Sequence, residues 1–297
     1  DQPRSRGLGD VYKRQVYTLD YDSSTKKWKK TVTAPTASSY NQTDHVYAMT
    51  LKAVDVAGNV TVVDKTDSTF GNLMKLRVKE KVAPAISVIK PSAGAYLTSH
   101  TVAFSINVTD SGSGVSNSTI SANLDGTALG VTKKTITNGY QCTYSGTVND
   151  GAHKLVVTAS DNDGNTASKT VNFTVDTVPP TLNITSPAAN LITNKQACAV
   201  SGITDDATSK PVTVKVSLNG TDQGSVTVAS DGTFSSSVNL IEGTNTIVII
   251  ATDKAGKVTT VNRTVVYDSV SPVIVSIDVP KEVESGSSFT ITVEATD

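Results

Sequence analysis

The chain has 297 residues, 37% hydrophobic and 18% charged, and its 26 Lys and Arg nearly balance 27 Asp and Glu for a net charge of −1. That length suits two or three domains of ordinary size, with enough Val, Ile and Leu for several thin cores and too few for one large one. The charge balance provides no basic field to collect nucleic acid, and no apolar run reaches the ~18 residues that a membrane-spanning helix needs.

In chain order, the first segment stands apart from the rest. Ser5 through Gln15 (SRGLGDVYKRQ) reads as the in-frame translation of a transposase-based sequencing adapter, with Gln2 to Arg4 in the place of a variable index. Residues 1–15 are therefore expected to be a leader outside any domain, with the natural sequence entering partway through one. Trp28 follows, flanked by Lys26, Lys27, Lys29 and Lys30. Its counterpart further on is Phe234, which also follows a turn into a strand, so a core or half-buried strand position is expected for it.

A repeat then emerges. Asp44–Asp55 (DHVYAMTLKAVD), Asp150–Asp161 (DGAHKLVVTASD) and Glu242–Asp253 (EGTNTIVIIATD) align without gaps, each followed by a turn: Ala57-Gly58-Asn59, Asp163-Gly164-Asn165 and Ala255-Gly256-Lys257. Met49/Leu155/Ile247, Leu51/Val157/Ile249 and Ala53/Ala159/Ala251 recur two residues apart, the period of a strand with one buried face. The aspartate ending each strand can accept backbone N–H groups of the turn, and the glycine supplies positive φ. Leu124-Asp125-Gly126 and Leu218-Asn219-Gly220 mark another hairpin at matching places, and Asp231-Gly232 a further turn.

Between the repeats lie Glu80-Lys81-Val82-Ala83-Pro84, Asp176-Thr177-Val178-Pro179-Pro180 and Asp268-Ser269-Val270-Ser271-Pro272, with prolines 96 and 92 residues apart (180 − 84 and 272 − 180). A period near 100 residues with short strands and frequent turns predicts an all-β chain of tandem immunoglobulin-like β-sandwiches. The expected domains are a partial repeat at 16–81 (its C-terminal part), repeats at 82–177 and 178–269, and the opening strands of another at 270–297. Cys142 and Cys198 then fall in different repeats and read as small buried hydrophobes.

These motifs, A-[TSV]-D-x-[AD]-G-[NK] with a mid-domain [LI]-x-G and a boundary V-x-P, resemble the bacterial Ig-like repeats of exported proteins. The stretch 178–269 is similar to the Ig-like module of glucodextranase domain B, through Pro180, Leu218-Asn219-Gly220, Asp231-Gly232-Thr233-Phe234, Glu242-Gly243-Thr244-Asn245 and Ala251 through Gly256. Lys257 departs from the Asn59 and Asn165 of the other copies. The resemblance implies an extracellular or cell-surface location and a non-catalytic stalk, spacer or adhesion role. The alternative is an accessory module array of a secreted carbohydrate-active enzyme. Partners would be glycans or proteins of a host or cell surface, reached through other domains.

His45, His100 and His153 show no metal spacing and no nucleophile beside them, and no catalytic motif is present; they read as solvated turn or strand residues. In a sandwich of this type the loop after the second strand and the last hairpin share the end where the chain enters. That placement would gather Glu80, Asp110, Asp161 and Asp163 at one junction, and Asp176, Asp205, Asp206 and Asp253 at the next. Turn capping is the plain reading of these residues. Inter-repeat calcium is the sharper one: oxygen-rich clusters suit Ca²⁺, and similar surface adhesins carry it at such junctions.

Overall fold

The computed structural model describes residues 15–297. The leader assigned to residues 1–15 lies, except for Gln15, outside the described residues. Two units are distinguished among the described residues: 15–83 with 111–114 and 161–165, and the remainder.

In the first unit the strands form three antiparallel ribbons. β1 (Asp20–Asp22) pairs with β2 (Lys27–Lys29), β3 (Tyr47–Ala48) with β6 (Lys75–Leu76), and β4 (Leu51–Val54) with β5 (Val60–Val63). The buried face expected for the 44–55 copy is not formed here: Met49 and Leu51 are 38% and 44% exposed, and Ala53 is exposed as well. A two-stranded ribbon has too little apolar area to bury its own side chains, whatever their periodicity. Trp28 departs from expectation for the same reason. It is 65% exposed against 4% for Phe234, with its ring tilted at 49° to that of Tyr21 and the ring centroids 5.1 Å apart.

The second unit holds two sandwiches with separate cores. In the first, β7 (Ala85–Lys90), β9 (Thr101–Thr109), β13 (Gly139–Thr147) and β12 (Thr132–Ile136) form one sheet. The facing sheet runs β11 (Thr127–Ala128), β10 (Ser121–Leu124), β14 (Gly151–Ser160), β15 (Thr166–Val175) and β8 (Tyr96–Leu97). Alternation does the sorting: Val102, Phe104, Ile106 and Val108 of β9 are buried against Leu155, Val157 and Ala159 of β14, while their neighbours face out. The first strand is shared between sheets, since β7 pairs antiparallel with β9 and β8 pairs parallel with β15.

The second sandwich repeats this plan. One sheet contains β16 (Thr181–Ser186), β18 (Ala197–Asp205) and β21 (Thr233–Asn239). The other is ordered β17 (Leu191–Thr193), β23 (Val258–Tyr267), β22 (Gly243–Thr252), β19 (Thr213–Leu218) and β20 (Thr221–Val226). Ile247, Ile249 and Ala251 are fully buried in its core with Val200, Val214, Leu240 and Val265. Beyond it, β24 (Val273–Asp278) pairs antiparallel with β25 (Thr292–Thr296). Pro84, Pro180 and Pro272 immediately precede β7, β16 and β24, where a missing N–H costs least. The structure is thus all-β, with tandem immunoglobulin-like sandwiches.

One glycine tests how closely the strands of the three-stranded sheet pack. A Cβ on Gly202 would stand 2.3 Å from the Asn183 carbonyl oxygen of the paired strand and 2.9 Å from the Phe234 ring. Backbone cannot yield cheaply there, so Gly202→Ala should cost about 1–3 kcal/mol of stability. Thermal melting of the variant checks this; an unchanged midpoint would mean that β16 sits less tightly on β18.

Candidate metal centre

The turn aspartates behave as their chemistry dictates. Asp55 Oδ1 accepts the N–H of Ala57 at 2.9 Å and of Asn59 at 2.8 Å, and Oδ2 accepts the Asn59 amide at 2.7 Å. Asp161 repeats this with Asn165, at 2.8 Å for the backbone N–H and 2.7 Å for the side-chain amide. Asp253 Oδ1 accepts the Lys257 N–H at 2.8 Å, and Gly256 takes the expected positive φ of 86°. Its Oδ2, however, is buried with no hydrogen-bond partner. Lysine at 257 keeps the backbone bond and lacks the amide that closes the other two turns.

Asp253 meets two further carboxylates. Asp176, directly after β15, is fully buried; its N–H donates to Leu97 O at 2.8 Å. Oδ1 of Asp176 accepts the Val178 N–H at 3.1 Å, and Oδ2 accepts the Ser209 hydroxyl. Asp206, after β18, accepts the N–H groups of Thr208 at 2.8 Å and Ser209 at 2.6 Å through Oδ1. Asp176, Asp206 and Asp253 are 0%, 6% and 5% exposed, and one carboxylate oxygen from each lies within 4.8 Å of the others. Among the described residues, none of the ion pairs involves these three. If all three are ionised at that spacing, each pair repels by about 3.5 kcal/mol at an effective dielectric of ~20. A divalent cation would reverse that sign.

Asp205, expected beside Asp206, is absent from this group. The two-residue period of β18 turns it outward, where its carboxylate pairs with Lys210 at 2.7 Å, and the Lys210 ammonium holds its carboxyl below the usual value. Ser209, which bridges Asp176 and Asp206, gave no signal in the sequence beyond lying in an Asp-rich loop.

The other expected residues make hydrogen bonds of their own. Within the first unit, Glu80 accepts the Ser113 N–H, and Asp163 Oδ2 accepts the Ser38 hydroxyl at 2.6 Å and the Glu80 N–H at 3.0 Å. Asp110 belongs to the second unit, where its N–H donates to Asn138 O at 2.8 Å.

The linker is pinned from the first sandwich as well. Thr177 donates its N–H and hydroxyl to Asp150 at 2.9 and 2.8 Å, and Lys254 Nζ stands 5.3 Å from the Tyr96 ring centroid. His153 is less solvated than expected: its side chain is 12% exposed, with Nδ1 2.7 Å from Asp125 and Nε2 2.8 Å from Asn149 O. Burial pushes the Asp125 carboxyl up, but hydrogen bonds from His153 and the Lys154 N–H outweigh it and leave it below its ordinary value. A depressed carboxyl stabilises the fold above the unfolded value near ~3.9 and loses that contribution as pH falls through the folded value. Asp125→Asn should therefore flatten the acid limb of a melting profile below about pH 4. The effect stays under about 1 kcal/mol, since 46% of the carboxylate side chain is exposed; a steeper acid limb would contradict it. Cys142 and Cys198 are free and buried, and burial pushes both thiols up.

The donor set fits a hard cation. It is all oxygen, it is enclosed, and one of its oxygens is orphaned, as suits Ca²⁺ with its 6–8 oxygen ligands. Asp176, Asp206 and Asp253 would hold it, with backbone carbonyls and water completing the shell. Among the described residues, no helix is long and apolar enough to cross a membrane.

Comparison of the sequence with family models agrees with the architecture. Residues 95–177 match the family model for a bacterial Ig-like domain and residues 180–269 that for glucodextranase domain B. Over 148 residues, 48% of the chain, it is 32% identical to bacillopeptidase F of Bacillus subtilis (strain 168), spanning 10% of that protein's length. The fibronectin(III)-like modules of Clostridium thermocellum CbhA align at TM-score 0.40 and 19% identity, over 62% of this chain and 95% of theirs. The titin I-band fragment I67–I69 aligns at TM-score 0.44 and 15% identity, over 63% and 66%. The chain therefore carries tandem immunoglobulin-like modules, one matching the bacterial Ig-like domain and the next matching domain B of glucodextranase.

Proposed function

We propose that these modules are a non-catalytic spacer of an exported bacterial surface protein, and that calcium closes the joint between the two sandwiches. The repeats are assigned to 82–177 and 178–269. The observation that supports this best is the buried trio at the joint: Asp176 of the linker, with Asp206 and Asp253 of the following sandwich, one oxygen lacking any donor. A spacer holds its reach only when its joints resist bending, and the linker here is bonded to both neighbours. Ligands of the parent protein, glycans or proteins, would be met by other domains.

Thermal melting with calcium or with chelator tests the reading. At a concentration 100 times Kd, a ligand of the folded state adds about 2.7 kcal/mol. For a domain of this size that raises the melting midpoint by about 10 °C or more. No shift at millimolar Ca²⁺ would remove calcium from the account.

A second reading, accessory modules of a secreted enzyme, is favoured by the similarity to bacillopeptidase F and to glucodextranase domain B. Flanking coding sequence separates the two: an anchoring segment supports the spacer, a catalytic domain the accessory array.

A further inference from the structure

We infer that the residue after the turn glycine tunes how readily the turn aspartate takes a cation, and that Lys257 leaves Asp253 of the second sandwich the freer to do so. This inference rests on the calcium reading above. Three copies of one turn make the comparison. In each, the aspartate's Oδ1 accepts the backbone N–H four residues on, at 2.8 Å from Asn59, Asn165 and Lys257. In the two asparagine copies, the same residue's amide donates to Oδ2 at 2.7 Å. In the third copy that donor does not exist, and Asp253 Oδ2 is the buried, unpartnered oxygen. The backbone turn is the same, with glycine φ of 89°, 96° and 86°. The side chain at one position is thus what changes the chemistry.

An amide on Oδ2 competes with a cation twice over, by occupying one of its lone pairs and by filling the space beside it. Lysine does neither, because its ammonium sits at the end of a four-carbon stem and makes no ion pair with Asp253. Carbon-tethered charge there weakens cation binding only slightly, through water. Lys257 is accordingly a specificity-determining residue for cation binding, although it is not a ligand.

The test is calorimetric titration of Ca²⁺ into the full chain as wild type, Lys257→Asn and Lys257→Ala, with melting in chelator as a second readout. The inference expects wild type to bind. Lys257→Ala should bind within about threefold of it, or tighter for loss of the nearby charge. Lys257→Asn should bind at least tenfold more weakly, and in chelator it should melt higher than Lys257→Ala, since its amide now satisfies Asp253. Equal calcium affinity of the wild type and Lys257→Asn overturns the inference and leaves the calcium site standing. A comparable loss in Lys257→Ala also overturns it, because the lysine itself would then be responsible. Absence of calcium binding in the wild type defeats the calcium reading, and this inference falls with it.

Discussion

Leu155→Ala is expected to cost about 2–5 kcal/mol of the first sandwich's stability and to leave the second unaffected. Leu155 is fully buried in β14, within the core that also contains Phe104, Ile106, Val157 and Phe173. Removing its branched carbons leaves a void that the facing sheet cannot fill, because β9 presents β-branched or aromatic side chains held by their own strand pairing. A domain of about 90 residues has only about 5–15 kcal/mol to lose, so its melting midpoint should fall by roughly 10–30 °C. Ile247 occupies the matching place in the second core, and Ile247→Ala should reproduce the loss there alone. Scanning calorimetry of the full chain reads both. Two transitions that move separately are expected; one transition shifted whole by either substitution would mean that the cores fold as one.

Asp176→Asn should abolish most of the calcium response while leaving the fold intact. The substitution keeps the side chain's shape and one oxygen to accept the Ser209 hydroxyl or the Val178 N–H, the bonds that Asp176 makes now. It removes one of three carboxylates, and with it two like-charge pairs, each about 3.5 kcal/mol at full ionisation and a dielectric of ~20. Without calcium the variant should therefore melt at or above the wild-type midpoint. With calcium it should gain little, its affinity reduced tenfold or more. A variant that melts lower in chelator yet still responds fully to calcium would show that Asp176 serves only as a linker bond. Asp206→Asn is the matching control from the second sandwich's own loop.

Much of this was legible in the sequence, and the parts that were not share a cause. Alternation placed Leu155, Val157, Ile247 and Ile249 inward, and glycine after aspartate located the turns at Gly164 and Gly256 with the positive φ that they show. Periodicity states which side of a strand is apolar; it cannot state whether a second sheet is there to cover it. Met49, Leu51 and Trp28 have the right pattern and remain exposed for that reason. The acidic cluster was legible as a neighbourhood and not as a set. Asp205 and Asp206 are adjacent in sequence, and strand parity sends one to Lys210 and the other into the buried group. Lys257 was visible as a departure from asparagine, but its consequence, an oxygen without a donor, needed the turn geometry to be seen.

The central claim, that calcium stiffens the joint between the sandwiches, is tested most directly by the distance distribution across it. Spin labels at Thr127→Cys and Thr221→Cys sit at exposed positions on the two sandwiches, while the buried native Cys142 and Cys198 resist labelling. Pulsed electron resonance should give one narrow distance in calcium and a broader distribution in chelator, with Asp176→Asn broad in both. Equal widths with and without calcium in the wild type would contradict the claim.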